Sequence, residues 1–223
     1  MTFLSTDDRY FLLRRLHSLT GIIPSGAFLL FHFFENASAI TSHEAFNQTV
    51  IKIGEIPYLY FFEIFALLLP LAFHALFGAF LVFAARPNVL AYGYARNWAY
   101  FFQRVSGAFA CIFIFYHVIS TRGWALFVKG GDITHANMHA MLSSPWVLAC
   151  YVIGIVSVTY HFSNGLWSFS ITWGLFVSQN AQKRFAILTN VIFVLLCLGG
   201  LDILSDFVFG KAISSQLSML VFW

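Results

Sequence analysis

Five long apolar runs constrain the fold of this chain more than any other feature. Each run is longer than the roughly 20 residues that a helix needs to cross a bilayer, and short polar connectors separate them. Backbone polar groups in lipid must be satisfied within the chain, and a helix achieves this within a single run. The sequence therefore predicts an all-α membrane protein with five transmembrane helices. The predicted spans are Phe11–Phe34, Pro57–Ala85, Trp98–Phe127, Pro145–Phe176 and Phe185–Phe209.

The composition agrees with a membrane location. Hydrophobic residues make up 60% of the chain and charged residues only 9%, whereas soluble domains carry about 25% charged residues. The net charge of +3 is too small to indicate a nucleic-acid partner. We expect residues 1–210 to form one five-helix domain. The tail, residues 211–223, is apolar but too short to span, and the sequence does not place it.

The N-terminal segment and the cysteines argue against a removable signal peptide and against disulfides. The N-terminal segment carries acids and no small-residue cleavage site, so it does not read as a removable signal peptide. The odd cysteine count and the apolar surroundings of Cys111, Cys150 and Cys197 do not indicate disulfides. The sequence also has no C-x-x-C-H motif, which thioether attachment of haem would require.

Lys and Arg are distributed unequally between the two ends of the predicted helices. The positive-inside rule assigns the richer side to the cytoplasm. This predicts a cytoplasmic N-terminus and an external C-terminus in a bacterial inner membrane. The richer side has Arg9, Arg14, Arg15, Arg86, Arg96, Arg104, Lys183 and Arg184. The other side has Lys52, Arg122, Lys129 and Lys211.

Histidines are the most informative polar residues. Each of the first four predicted helices carries a histidine deep within it, and the fifth carries none. One membrane histidine could simply hydrogen-bond a neighbouring helix, but four in successive helices favour a shared function. These four are His32, His74, His117 and His161. The histidines of the outer connectors, which we interpret as solvated loop residues, are His43, His135 and His139.

The direction of each helix sorts the four histidines by depth. His32 and His117 lie towards the outer ends of their helices, and His74 and His161 lie nearer the middle and inner side. Haem iron with two axial imidazoles needs two facing histidines, and a helical bundle can supply such a pair. The pattern predicts two non-covalent b-type haems between helices one to four. His74 and His161 would bind the inner iron, and His32 and His117 the outer iron.

Glycines accompany two of these histidines. Gly78 and Gly165 each follow a histidine by four residues, which returns them to the same helix face. The missing side chain would let a flat macrocycle lie against the backbone. Close helix packing is the alternative role for both glycines.

Four further residues could bind the haem propionates. Arg15 and Arg104 lie at the inner ends of helices one and three, and Arg122 lies beyond His117 near the outer haem. Snorkelling to lipid headgroups is the alternative for each arginine. His17, at the inner edge of the first helix, lies too far towards the cytoplasm for an axial ligand, so it would bind a propionate or reach water.

Sequence elements around these residues resemble a known family. The elements are RRLHSLTG at Arg14, LLFH at Leu29, PLAFHALFG at Pro70, QRVSGAF at Gln103 with FYH ending at His117, and HFSNGLW at His161. In that order they resemble the cytochrome b membrane anchor of succinate:quinone oxidoreductases and fumarate reductases, of the five-helix, dihaem type. The resemblance covers most of the chain but not the tail after Lys211.

The resemblance implies a role in succinate dehydrogenase. Such an anchor binds a flavoprotein with FAD and an iron–sulfur protein on the cytoplasmic face, and the succinate site lies on another subunit. Electrons then pass through two haems to a quinone, typically menaquinone. The four histidines match the family's ligands in the same pairs. Alternatives are the cytochrome b subunit of a fumarate reductase, a hydrogenase or a formate dehydrogenase, a transporter, or a haem-free anchor.

Two residues bear on proton movement. Some fumarate reductases of this type carry a glutamate two residues before the fourth-helix ligand, where this chain has Thr159. Succinate oxidation is therefore favoured over fumarate reduction. Glu63, near the outer end of the second helix, is the best remaining buried acid and could protonate quinone. An acid hydrogen-bonded at the membrane interface is the alternative.

Overall fold

The computed structural model describes residues 5–84 and 88–210, and this part of the chain contains helices and no strand. The α-helices are α1 Thr6–Ile22, α2 Pro24–Asn36, α3 Ser38–Thr41, α4 His43–Gly54, α5 Leu59–Phe61, α6 Leu69–Ala84, α7 Ala95–Val118, α8 Trp124–Phe127, α9 His135–Leu142, α10 Pro145–Thr172 and α11 Gln179–Phe209. The π-helical segments are π1 Phe62–Leu68 and π2 Ile119–Gly123.

Five helical stretches are long and apolar enough to cross a membrane. The prediction of an all-α protein with five transmembrane helices is thereby confirmed. The predicted helix end at Ala85, the cation Arg86 and the tail 211–223 lie outside the described residues. The stretches are Asp7–Thr41, Leu59–Ala84, Ala95–Phe127, Pro145–Thr172 and Gln179–Phe209.

Many large apolar side chains on these stretches face outward. Leu76 is 75% exposed, Phe83 87% and Phe115 71%. A water-soluble protein rarely exposes a continuous apolar surface of this extent, because its contact with water is unfavourable. These side chains therefore face the lipid of the membrane.

Prolines shape the first two transmembrane stretches. The first was expected to be one helix, but α1 ends at Ile22 and α2 begins at Pro24. Proline lacks the N–H that an interior helix position donates, so a break here is the expected local response. Pro70 likewise follows π1, where the backbone widens before α6 continues.

The predicted outer connectors also contain helices. Within Glu35–Ile56 lie α3 and α4, and within Val128–Ser144 lies α9. The Ser42 hydroxyl caps α4 by accepting from the Ala45 N–H at 3.0 Å. The Thr134 hydroxyl caps α9 in the same way, accepting from the Asn137 N–H at 3.1 Å. These helices are too short and too polar to have changed the count of spans.

The chain divides into two compact units. The described residues of unit one are 5–29, 60–84, 88–108 and 160–193. Those of unit two are 30–59, 109–159 and 194–210. Within unit one, α1 packs against α6. Unit two has a buried apolar core formed by Ala39, Phe46, Leu142, Tyr151, Ile203, Leu204 and Phe207.

Candidate haem-binding sites

Unit one brings His74 on α6 and His161 on α10 together. Their ring centroids lie 6.0 Å apart with planes at 83°. Two imidazoles on opposite sides of one iron need centroids roughly 6 Å apart, because a metal–imidazole bond is about 2 Å and the ring nitrogen lies about 1 Å from the ring centre. The centroid spacing is therefore close to that of a bis-histidine pair, and ordinary edge-to-face contact between two rings gives the same spacing.

One ring nitrogen of each histidine is held by a backbone carbonyl. His74 Nδ1 donates to the His17 carbonyl oxygen at 2.8 Å, and His161 Nδ1 donates to the Gln103 carbonyl oxygen at 2.9 Å. Since a carbonyl only accepts, Nδ1 must carry the ring proton. This fixes the tautomer and directs the lone pair of each neutral ring to Nε2.

The side chain of Gln103 reinforces the position of His161. Its amide nitrogen donates to the His161 carbonyl oxygen at 3.0 Å, and its amide oxygen accepts from Asn164 Nδ2 at 2.7 Å. Together with the hydrogen bond from His161 Nδ1 to the Gln103 carbonyl, these two hydrogen bonds join α7 to α10 beside the imidazole. Gln103 was noted in the sequence only as part of the QRVSGAF element, because a polar partner 58 residues away has no local signature.

Unit two brings His32 on α2 and His117 on α7 together. Their ring centroids lie 5.7 Å apart with planes at 72°. His117 Nδ1 lies 3.0 Å from the Tyr151 hydroxyl, and His32 Nδ1 lies 3.0 Å from a Glu35 carboxylate oxygen. The Asn36 amide also approaches the His32 ring, at 3.3 Å from Nδ1 and 3.4 Å from Nε2.

All four histidines therefore share one arrangement. Nδ1 of each ring faces an oxygen of the protein, so Nε2 is the ring nitrogen suited to a metal, and at His32 a metal would have to displace the Asn36 amide that lies 3.4 Å from Nε2. Histidines that ligate metals characteristically donate their second ring N–H to a carbonyl or carboxylate, which orients the ring and raises its basicity. The donor set and its surroundings fit two bis-imidazole haem sites.

Of the four residues expected to bind propionates, His17 lies directly against the His74–His161 pair. The His17 ring stacks on His74 with centroids 4.1 Å apart and planes at 10°. His17 Nδ1 and Arg15 Nε are buried without a hydrogen-bond partner in the described part of the chain. Arg15 Nε is a donor, and His17 Nδ1 is one in the tautomer that carries the ring proton there, so this region suits an anionic ligand. Arg104 donates instead to the Leu81 carbonyl oxygen at 3.2 Å, and Arg122 lies half-buried in π2.

Glycines in unit one lie where rings of neighbouring helices approach the backbone. A Cβ at Gly78 would meet His17 Cε1 at 3.0 Å, and a Cβ at Gly107 would meet His161 Cε1 at 2.7 Å. A Cβ at Gly165 would lie 3.3 Å from the Gln103 amide nitrogen. The structure thus gives these glycines close-packing roles beside the histidines. A role against a macrocycle remains a prediction for Gly78 and Gly165.

Unit two also contains a cavity of about 570 Å³. Its walls are largely apolar and come from α2, α3 and α4, with Glu35 and Lys52 as the charged groups. Glu35 also contacts His32, so one carboxylate joins this cavity to a predicted ligand.

Glu63, the acid suggested for quinone protonation, is half-buried in π1 within unit one. Thr159 is fully buried and donates to the Ile155 carbonyl oxygen at 2.7 Å.

A separate polar cluster contains two of the connector histidines. His135 is only 4% exposed and its Nε2 lies 3.2 Å from an Asp206 carboxylate oxygen, so its interpretation as a solvated loop residue was wrong. The reason is that α9 folds against α4 and α11. Burial lowers the pKa of His135, the Asp206 hydrogen bond opposes this, and the nearby His43 lowers it further. His43 and His139 are exposed, as expected.

Comparisons with known proteins decide the family. A family model described as the succinate dehydrogenase/fumarate reductase transmembrane subunit matches residues 85–199. The succinate dehydrogenase cytochrome b558 subunit of Bacillus subtilis (strain 168) is 42% identical over 203 residues, covering 91% of this chain and 100% of that protein. The chain belongs to this transmembrane-subunit family. It is therefore an integral membrane protein and a subunit of an oxidoreductase complex.

Family membership removes several alternatives. A transporter and the cytochrome subunits of hydrogenase or formate dehydrogenase are no longer needed to explain the apolar helices and membrane histidines. The resemblance seen in the RRLHSLTG, PLAFHALFG and HFSNGLW elements is confirmed.

Proposed function

We propose that this subunit is the dihaem cytochrome b of a succinate dehydrogenase and passes electrons from an iron–sulfur subunit to membrane quinone. The observation that carries the proposal is the shared arrangement of the four histidines: two pairs at about the spacing of axial ligands, each ring held through Nδ1. A bound b-type haem supplies the one-electron redox chemistry that links iron–sulfur clusters to a two-electron quinone.

The residues of unit one would position and shield the haem of His74 and His161. The carbonyl groups of His17 and Gln103 keep both rings in the tautomer that leaves Nε2 for iron. The buried donors of Arg15 and His17 would bind propionate oxygens. Arg104 would do the same after exchanging its carbonyl partner.

Tyr151 and Glu35 would play the equivalent part in unit two. Each places an oxygen at Nδ1 of one histidine, and Arg122 supplies a cation for a propionate. A carboxylate acceptor gives an imidazole more electron density than a hydroxyl does, because it is charged. His32 is therefore the more strongly donating ligand of this pair.

The cavity beside Glu35 supports a quinone site. Its volume of about 570 Å³ and its mostly apolar walls suit a substrate with a polar ring and an isoprenoid tail. The carboxylate oxygen of Glu35 that does not face His32 would first take up a proton and then pass it to a quinone oxygen there, and Lys52 would bind the other oxygen. This proposal gives the proton-donor role to Glu35 rather than to Glu63, the candidate that the sequence suggested.

The family and the sequence support the remaining assignments. Flavoprotein and iron–sulfur subunits, carrying FAD and the clusters, would bind at the cytoplasmic face. The physiological direction is succinate oxidation with menaquinone as acceptor. Thr159 supports this direction, because a threonine at this position provides no carboxylate for a transmembrane proton path. Its hydroxyl donates instead to the Ile155 carbonyl oxygen of the same helix.

Haem counting tests the central proposal. The complex purified from membranes should contain two b-type haems per chain, measured as pyridine haemochrome. His74→Leu should reduce this to one, and His32→Leu should remove the other haem. His139→Ala is the matched control, because His139 donates to the Phe207 carbonyl outside both pairs. Two haems retained in His74→Leu would refute the ligand assignment.

Quinone kinetics test the cavity. Glu35→Gln should raise the KM for a menaquinone analogue or lower kcat by about 10²-fold, the low end of what a positioned general acid contributes. Glu63→Gln should leave both constants near those of the unsubstituted complex. The reverse result would return the role to Glu63, and electron transfer from succinate to an artificial acceptor on the partner subunits controls for assembly.

A further inference from the structure

Three side chains of types that can ligate a metal, from three helices, converge in unit two. His43 is the first residue of α4, His135 is the first residue of α9, and Asp206 lies near the end of α11. One ligand atom from each lies within 4.8 Å of the others. None of them belongs to the haem pairs or lines the cavity beside Glu35.

Two of the three donors are fixed in place by their surroundings. His135 and Asp206 are 4% and 5% exposed, with His135 Nε2 3.2 Å from the carboxylate. The His135 ring stacks on Phe207 with centroids 4.9 Å apart, and its backbone N–H donates to Asn47 Oδ1 at 2.9 Å. Tetrahedral ligands bonded at about 2 Å lie roughly 3.3 Å from one another, so this pair already has the required separation.

The third possible ligand, His43, connects the buried pair to the protein surface. His43 is exposed and its ring stacks on His135 with centroids 3.6 Å apart and planes at 16°. A hydrogen bond between His135 and Asp206 alone would not require this second imidazole. Because the His43 side chain is at the surface, it can turn about χ1 and χ2 to direct a ring nitrogen towards the buried pair.

We propose that His43, His135 and Asp206 bind one Zn²⁺ ion. Two imidazole nitrogens and one carboxylate oxygen form a donor set typical of zinc, and a water molecule would complete the tetrahedron. The bound ion would tie α4 to α9 and α11. Since α4 also forms one wall of the cavity beside Glu35, the site lies on the element that shapes that cavity.

Zinc counting on matched variants tests this site. The complex would be treated with chelator, dialysed against buffered Zn²⁺ and analysed by mass spectrometry for zinc per chain. We expect one zinc more in the unsubstituted complex than in His43→Ala, and a dissociation constant raised at least about tenfold in the variant. X-ray absorption at the zinc edge should show nitrogen and oxygen ligands at about 2.0–2.1 Å for that ion.

Two further variants make the result decisive. Asp206→Asn keeps the volume of the buried side chain and should also lose the ion. His139→Ala, on the same short helix as His135, should retain it. Gel filtration and circular dichroism would verify that each variant is folded. Equal zinc affinity in the unsubstituted complex, His43→Ala and Asp206→Asn would overturn the proposal. The measurement does not depend on haem content, so its outcome is independent of the proposed electron-transfer function.

Discussion

Tyr151 offers the cleanest test at the scale of single residues. Its hydroxyl lies 3.0 Å from His117 Nδ1. If Nε2 binds iron, Nδ1 carries the ring hydrogen, and the hydroxyl oxygen accepts a hydrogen bond from this N–H. Tyr151→Phe removes the acceptor, makes the imidazole a weaker donor and destabilises the ferric state. We expect the midpoint potential of this haem to rise by about 20–60 mV, because a neutral hydrogen bond contributes about 0.5–1.5 kcal/mol and about 1.4 kcal/mol corresponds to 59 mV for one electron.

The matched control for this substitution is Tyr116→Phe. Tyr116 packs edge-on against Tyr151 with centroids 6.5 Å apart, so it loses the same atom next to the hydrogen-bonded pair. Redox titration of the two haems should show the shift only for Tyr151→Phe. Equal shifts in both variants, or none in either, would contradict a direct effect through His117.

At the scale of elements, Gly107 determines how closely α7 approaches the ring on α10. A Cβ there would lie 2.7 Å from His161 Cε1 and 3.0 Å from its Nδ1, so Gly107→Ala must displace the imidazole. We expect loss of the His74–His161 haem, from two haems per chain to one, as measured by pyridine haemochrome. Gly199→Ala on α11 is the control, because no atom lies within 4 Å of its added Cβ. Two haems with unchanged potentials in Gly107→Ala would show that the ring position tolerates the methyl group.

The helices themselves were largely predictable from the sequence, and their interruptions were partly so. Apolar length specifies a transmembrane helix because lipid leaves the backbone few alternatives. Pro24 and Pro70 were visible in the sequence, but whether a proline breaks a helix or is absorbed by a π-helical segment depends on neighbouring packing. The helices α4 and α9 escaped prediction because they are short and their signals are only local caps.

At the scale of the whole molecule, the candidate ligands were predictable and their partners were not. One histidine deep in each of four apolar helices stands out against a background that excludes ionisable groups. Gln103 contacts His161, which is 58 residues away in the sequence, and Asp206 contacts His135, which is 71 residues away. Contacts of that range follow from how the helices pack, which one sequence does not specify. His135 was misread for this reason.

The orientation of the whole subunit remains a prediction that labelling can check. Eight cations on one side against four on the other assign the N-terminus to the cytoplasm. In a variant with its three cysteines replaced by alanine, Ala140→Cys on α9 and Val177→Cys between α10 and α11 introduce single exposed thiols. In intact cells with the outer layers permeabilised, a membrane-impermeant maleimide should label Ala140→Cys and leave Val177→Cys unlabelled. Disruption of the inner membrane should then expose Val177→Cys, whereas the opposite labelling order would invert the topology and place the predicted inner haem on the external side.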